Sequence, residues 1–169
     1  AGTEKISNEV IDKAKNLKFI SRVGIGLDNI DLLYAKKKGI KISYTPNAPA
    51  PAVAELTIGL MLNLIRFIHL ANKKMHMGEW NRYFGRRLSK STIGIIGFGR
   101  IGKRVLSHLE GFNVSQILIN DISKSKSFNR SNIKFVEKKE IYKKADIITL
   151  HLPLTSITKN LISKKELLS

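Results

Sequence analysis

The sequence contains no cysteine, four prolines and few aromatic residues. Without cysteine the chain can form no disulfide, has no thiolate nucleophile and offers no cysteine ligand to a metal ion. The four histidines lack metal-ligand spacing, because His69 and His76 lie too far apart to pair on one helical turn, so no metal site is expected. The longest apolar run, Leu56 to Leu70, is interrupted by polar residues, and no run reaches the length of a membrane span.

The N-terminal segment is polar and has no apolar stretch of the kind found in signal peptides. Together with the missing cysteines, this makes a cytoplasmic protein the expectation. The length of 169 residues corresponds to one ordinary domain or to parts of two, and a hydrophobic content of 43% is sufficient for a packed core.

Acidic residues are scarce relative to basic ones, with 13 against 30 and a formal net charge of +17. Such a charge is compatible with a nucleic-acid-binding surface. The lysines, however, form short scattered runs at predicted helix ends, where cations complement the helix dipole. We therefore favour solvated helix faces and expect no nucleic-acid partner. The runs are Lys36 to Lys38, Lys73-Lys74, Lys138-Lys139, Lys143-Lys144 and Lys164-Lys165.

The most informative stretch runs from Ser91 to Gly102. A short β-branched apolar run leads into a G-x-G-x-x-G pattern (Gly97, Gly99 and Gly102) and then into a segment typical of a helix. A second apolar run ends in Asp121, at the distance expected for the acidic residue of a dinucleotide-binding βαβ unit. A tight glycine turn without a ligand is the alternative interpretation of the glycines alone.

Each position of the pattern has a physical role in that unit. Gly97 permits the tight turn, Gly99 lets the backbone approach a pyrophosphate, and Gly102 lets the helix pack closely on the strand. The amides near Arg100 and Ile101 would face the phosphates at the positive end of the helix dipole. Asp121 would accept hydrogen bonds from both ribose hydroxyls and repel a 2′-phosphate, which favours NAD over NADP. Lys124 and Lys126 follow closely and would soften that preference.

Strands and helices alternate along the predicted chain, which indicates an α/β fold with a parallel sheet covered on both faces. The predicted helices are Ser7–Lys15 (capped by Ser7), Asp31–Lys38 (closed by Gly39), Ala52–Asn72, Arg100–Glu110, Lys138–Lys144 and a last helix after the capping box Ser163–Glu166. The predicted strands are Leu17–Val23, Ile40–Ser43, the run before Gly97, the run ending at Asp121, Ile133–Val136 and Asp146–Leu150.

Four segments together resemble the D-isomer-specific 2-hydroxyacid dehydrogenases, and within them the D-3-phosphoglycerate dehydrogenase branch. The segments are Arg22 to Asp31 (RVGIGLDNID), Thr45-Pro46-Asn47 followed by Val53 to Leu56, Trp80 with Gly94 to Gly102 (GIIGFGRIG), and Asp146 to Thr155 (DIITLHLPLT) with Thr158. They occur in the family's order and span nearly the whole chain.

The resemblance implies a Rossmann-type, doubly wound NAD-binding domain, incomplete here, and the end of a flavodoxin-like substrate domain. It divides the chain into 1–47 (substrate domain), 48–72 (hinge and interdomain helix) and 73–169 (NAD-binding domain). We expect Glu55 to fix the start of the long helix rather than to take part in chemistry.

Further site residues follow from the resemblance. It implies that Val23, Gly24 and Ile25 offer backbone amides to the substrate carboxylate, as consecutive amides in a glycine turn can; a plain glycine bend is the alternative. His151, Leu152 and Pro153 would line the adenine pocket, and Thr158 would lie near the cofactor. Without the resemblance, His151 is an ordinary histidine at the end of a strand.

The family's catalytic Arg, Glu and His match no residue of this sequence and are expected beyond Ser169, while most of the substrate domain is expected before Ala1. The resemblance implies hydride transfer between NAD and a D-2-hydroxy or 2-oxo acid, and a homodimer. Two other interpretations stay open: a dinucleotide-sensing, corepressor-like binding protein without turnover, and an inactive remnant.

Overall fold

The computed structural model describes residues 4–123 and 130–168, so Lys124 and Lys126 lie outside the described residues. The chain divides into two compact units. One comprises the residues up to Ala50 together with Pro153–Lys159, and the other comprises Pro51–Leu152 and the residues from Asn160 onward. The first division falls after Ala50, and the segment Pro153–Lys159 groups with the first unit. The expected domain boundaries at residues 47 and 72 stay a prediction.

The first unit is a two-stranded parallel sheet with two short helices. Its elements are α1 (Asn8–Lys13), β1 (Phe19–Arg22), α2 (Leu32–Lys37) and β2 (Lys41–Tyr44), with Phe19 of β1 in register with Lys41 of β2. Buried isoleucines and Ala35 form its core. Asp31 caps α2 by accepting a hydrogen bond from the Tyr34 amide, and Gly39, at φ +71°, ends it as predicted. Ser7 precedes α1, but its side chain makes no capping bond.

The second unit contains a four-stranded parallel sheet in the order β5-β4-β3-β6. Its elements are α3 (Ala50–Ile65), whose first residue belongs to the first unit, α4 (Ile68–His76), a 3-10 turn (Leu88–Lys90), β3 (Thr92–Ile96), α5 (Arg100–Glu110), β4 (Gln116–Asn120), β5 (Ile133–Phe135), α6 (Lys138–Lys144), β6 (Ile147–Leu150) and α7 (Lys164–Leu167). The capping box of Ser163 and Glu166 is present at α7.

Helices cover both faces of this sheet. Alternate residues of the central strands point to opposite sides and pack against different helices. Ile93 and Ile95 of β3 belong to the cluster that includes Val105 and Leu109 of α5. Ile96 lies in a separate cluster, with Leu118 of β4 and Ile141 of α6. The doubly wound α/β arrangement predicted from the sequence is confirmed.

The single helix predicted over Ala52–Asn72 is wrong. The helix breaks after Ile65, and α3 and α4 are bent by 69°. At the break Phe67 adopts φ +55°, a left-handed conformation that cannot continue a right-handed helix. The turn is held by the later chain: the Arg86 amide donates to the Ile65 carbonyl, and Gly85 lies so close to that carbonyl that a side chain would not fit.

Among the described residues, no helix by itself has the length and hydropathy needed to cross a membrane. The bent pair α3 and α4 satisfies those two criteria only when both helices are counted together.

Gly94 lies where α6 packs closely on the sheet. A Cβ at Gly94 would collide with Cγ2 of Ile141 and lie 3.2 Å from Cβ of Ala145. We expect Gly94→Ala to lower the free energy of unfolding by about 1–3 kcal/mol, the usual cost of overpacking a core. Thermal melting of the variant and the parent measures the difference.

Gly59→Ala is the matched control. Gly59 lies in α3 with nothing within 4 Å of its missing side chain, and alanine is favoured over glycine in helices by about 1 kcal/mol. The control should melt at the parent temperature or above it. A Gly94→Ala protein that melts like the parent would show that α6 can move away from β3 at no cost.

Candidate dinucleotide-binding site

Gly97 forms the turn between β3 and α5. Its φ of +96° is strained for any residue with a side chain. A Cβ there would collide with the carbonyl oxygen of His151 and lie 2.9 Å from Cδ2 of Leu152. The end of β3 therefore contacts the end of β6 directly through backbone.

The other two glycines of the pattern differ in their surroundings. A Cβ at Gly102 would collide with the carbonyl oxygen of Gly97, so the first turn of α5 packs directly on the glycine turn. Gly99, in contrast, has nothing within 4 Å of its missing side chain. Gly97 and Gly102 are thus required by packing, whereas Gly99 leaves open space in front of the helix.

The N-terminus of α5 faces that space. Gly99 occupies the N-cap position, and its carbonyl accepts the Lys103 amide, the first intrahelical bond. The amides of Arg100 and Ile101 come before it, in the first turn of α5. Anions are stabilised there by the amides and by the helix dipole.

Asp121 follows β4 directly and lies beside the same turn. Its Oδ2 accepts the Phe98 amide at 2.6 Å, and its Oδ1 accepts both the amide and the hydroxyl of Ser123, at 2.8 and 2.9 Å. Partial burial raises the pKa of this carboxyl, but the three hydrogen bonds and the charge of Lys103 outweigh it and hold the pKa below its usual value. Asp121 is therefore a carboxylate at neutral pH.

His151 ends the strand on the other side of β3. Its amide donates to the Ile96 carbonyl at 2.8 Å, and its Nε2 lies 2.9 Å from Oγ1 of Thr149. Burial lowers the pKa of the imidazole, so the ring is neutral at pH 7. Leu152 packs against the buried cluster around Ile96.

Pro153 and Thr158 belong to the first unit, where they are tied to each other. The Thr158 hydroxyl donates to the Pro153 carbonyl at 2.5 Å and accepts the Thr155 amide at 2.8 Å. The structure thus brings Gly97, Asp121, His151 and Leu152 together in the second unit. The expected role of Pro153 and Thr158 beside the cofactor stays a prediction.

The glycine turn at Val23 to Ile25 also lies in the first unit, after β1. Gly24 has a φ of +149°, and its amide donates to Oγ1 of Thr45 at 2.8 Å. The Thr45 amide in turn donates to the Gly24 carbonyl at 3.2 Å. The Gly24 amide, one of the three expected to bind the substrate carboxylate, is thus already hydrogen-bonded to Thr45. Only the amides of Val23 and Ile25 would then bind the carboxylate.

The sequence interpretation missed the residues that hold Asp121 in place. Nothing in a G-x-G-x-x-G pattern indicates that the amide of Phe98 is bound by the acidic residue. The sequence does carry a signal for Ser123. An Asp side chain can accept a hydrogen bond from the backbone amide two residues later, which is an Asx turn, and Ser123 stands two residues after Asp121.

The arrangement fits a dinucleotide. It offers open space at Gly99, first-turn amides for phosphate oxygens, and a carboxylate at the end of the neighbouring strand for a ribose. Gly97 and Gly102 hold the turn and the first turn of α5 together, because a Cβ at either position would collide with backbone.

Comparison with known proteins agrees with this geometry. Residues 58–169 match the family model described as D-isomer specific 2-hydroxyacid dehydrogenase, NAD binding domain. The chain is 40% identical over 165 residues to hydroxypyruvate reductase of Thermotoga maritima, covering 96% of this chain and 53% of that protein. It is 39% identical over 166 residues to D-3-phosphoglycerate dehydrogenase of Methanocaldococcus jannaschii, covering 96% of this chain and 32% of that protein.

Among solved structures, D-lactate dehydrogenase from Aquifex aeolicus, complexed with NAD and lactic acid, superposes with a TM-score of 0.81 at 33% identity. The match covers 96% of this chain and 49% of that one. The chain thus spans about half the length of these relatives, or less. The relatives are dehydrogenases and reductases of several kinds, so they do not single out phosphoglycerate dehydrogenase. They also lend no support to the corepressor-like alternative. The predicted family is confirmed: this chain belongs to the D-isomer-specific 2-hydroxyacid dehydrogenases and carries their NAD-binding domain in residues 58–169.

Proposed function

We propose that this protein is an NAD-dependent oxidoreductase that interconverts a D-2-hydroxy acid and its 2-oxo acid. The observation that carries the proposal is the glycine turn at Gly97, which opens at Gly99 and lies directly beside the Asp121 carboxylate. NAD supplies a carbon centre that accepts or donates a hydride when it is bound. We assign no catalytic residue within this chain.

Within the proposal, the chain's own residues bind and orient the cofactor. The amides of Arg100 and Ile101 bind the pyrophosphate, Asp121 binds the adenosine ribose, and His151, Leu152 and Pro153 border the adenine, with Thr158 nearby. His151 does so as a neutral ring, because its burial disfavours the imidazolium. A carboxylate at Asp121 repels a 2′-phosphate, which supports NAD rather than NADP.

The substrate carboxylate is assigned to the turn at Val23 to Ile25. A guanidinium nitrogen of Arg22 would lie 2.7 Å from a Cβ at Gly24, so a positive charge adjoins this turn. That charge supports an anionic substrate. The finer proposal is a phosphorylated acid such as 3-phosphoglycerate, supported by the 39% identity to a phosphoglycerate dehydrogenase.

Cofactor binding is tested with Asp121→Asn. The substitution keeps the shape of the side chain and removes its charge, so hydrogen bonds to a charged acceptor, worth about 1.5–3 kcal/mol, are weakened. We expect the Kd for NADH to rise about tenfold or more, and the preference for NADH over NADPH to fall. Titrations followed by the fluorescence of NADH and of NADPH measure the two dissociation constants.

Asp146→Asn is the matched control. Asp146 also accepts a backbone amide, that of Thr92 at 2.8 Å, and pairs with Arg86, but it lies at the opposite end of β3. The control should leave the Kd for NADH unchanged even if it lowers the melting temperature. Equal losses of affinity in both variants would remove the specific role given to Asp121.

Turnover is tested on the protein purified at its natural length. We expect NADH to be oxidised by 2-oxo acids (glyoxylate, hydroxypyruvate and phosphohydroxypyruvate), and methyl esters of such acids to react at least about tenfold more slowly because the amide nest recognises a carboxylate. Loss of absorbance at 340 nm measures the rate, and the ranking of the three acids tests the phosphorylated substrate. NADH binding without oxidation by any 2-oxo acid would overturn the assignment as a dehydrogenase.

We also propose that the protein is a homodimer whose interface includes α3. Leu56, Leu60 and Leu64 recur every fourth residue along one face of α3 and are 62%, 52% and 58% exposed. An apolar stripe of this kind is typical of an interface. A cytoplasmic location stays a prediction.

The dimer is tested with Leu60→Glu, which places a charge in the middle of the stripe. We expect the molar mass in solution to fall to that of the monomer, measured by light scattering after gel filtration. Leu33→Glu is the control, because Leu33 of α2 is 84% exposed but belongs to the first unit. If both variants keep the parent mass, the stripe is not the interface.

A further inference from the structure

The carboxylate of Asp121 is largely occupied before any ligand is considered. Its Oδ1 accepts two hydrogen bonds, from the amide and the hydroxyl of Ser123, at 2.8 and 2.9 Å. Its Oδ2 accepts one, from the Phe98 amide at 2.6 Å. An ionised carboxylate offers about four acceptor positions, so the bonds made by the described residues leave about one, on Oδ2.

A ribose offers two neighbouring hydroxyls, so the expectation that Asp121 accepts both does not agree with this geometry. Ser123 offers a second acceptor close by. Its Oγ donates its hydrogen to Oδ1 of Asp121, and a hydroxyl oxygen that donates still has lone pairs that can accept. The side chain is exposed, so a ligand can reach it.

We propose that Asp121 and Ser123 bind the adenosine ribose as a pair, with Oδ2 of Asp121 accepting the 3′-hydroxyl and Oγ of Ser123 accepting the 2′-hydroxyl. Ser123 is also a positioning residue, because its two hydrogen bonds to Oδ1 fix the rotation of the carboxylate and direct Oδ2 towards the turn. The inference rests on the proposed binding of NAD and adds Ser123 to its site.

The surroundings keep this pair in one state. Lys103 lies with Nζ 6.0 Å from the centre of the Phe98 ring, and its charge, after the hydrogen bonds from Phe98 and Ser123, helps to lower the pKa of Asp121. Phe98 itself is buried and meets Phe135 edge to face at 5.7 Å between ring centres. The Phe98 ring is thus positioned by Phe135 and Lys103 while its amide binds Asp121, and the carboxylate stays an acceptor across the neutral pH range.

The test compares ADP with 2′-deoxy-ADP, which differ by one ribose hydroxyl. Isothermal titration gives both affinities for the parent, Ser123→Ala and Ser123→Thr. We expect the parent to prefer ADP about tenfold, the effect of one hydrogen bond to a charged or well-placed acceptor. Ser123→Ala should reduce that preference to about twofold or less, and Ser123→Thr, which keeps the hydroxyl, should restore most of it.

Ser115→Ala is the control variant. Ser115 lies before β4, at the opposite end of the strand from Ser123, and its hydroxyl also donates a hydrogen bond, to the Ser91 carbonyl at 2.8 Å. It should keep the tenfold preference whatever it does to the melting temperature.

The outcomes separate the two proposals. If the parent binds neither ADP nor NADH, the proposed function itself fails. If the parent binds both but Ser123→Ala keeps the parent's preference, or weakens ADP and 2′-deoxy-ADP by the same factor, Ser123 has a structural role only and the inference is overturned.

Discussion

The contact on which the cofactor site depends is made by backbone alone. Gly97 lies against the carbonyl of His151 on one side, and its own carbonyl lies against Gly102 on the other. The end of β3, the end of β6 and the first turn of α5 are thereby brought within van der Waals distance. This closeness fixes where the Phe98 amide points, and with it the carboxylate of Asp121. Side chains would separate these three elements, so glycine is a requirement of packing before it is a requirement of binding.

Much of this architecture can be predicted from local sequence patterns. Arg100–Glu110 and Lys138–Lys144 are predicted as helices with the bounds that the structure shows, and each strand is found within two residues or so. These elements are bounded by glycine or polar residues, and that boundary is a local signal. The bend at Phe67 has no such signal, because Gly85 and Arg86, which hold it through the Ile65 carbonyl, lie 18 and 19 residues further along the chain.

The same limit applies to the site. The positions of the three glycines and of Asp121 follow from spacing, since a strand and a helix of standard length separate them. The groups that already occupy polar atoms do not follow from spacing. The Gly24 amide is bound by the hydroxyl of Thr45, 21 residues away, and the Asp121 carboxylate by the amide of Phe98, 23 residues before it. Hydrogen-bonding capacity is used up by tertiary partners, which only a three-dimensional structure identifies.

The position of β3 at the centre of its sheet also has a consequence for how the chain folds. β3 pairs with β4 on one side and with β6 on the other, and the Thr92 amide binds a carboxylate 54 residues further along the chain. Strand pairs so distant in sequence form late in folding, because the long loop between them must lose conformational entropy before their contacts form. During synthesis one edge of β3 must therefore stay without its partner until β6 has left the ribosome. In that interval β3 presents an open strand edge beside its isoleucines, which makes this a period of aggregation hazard for the chain.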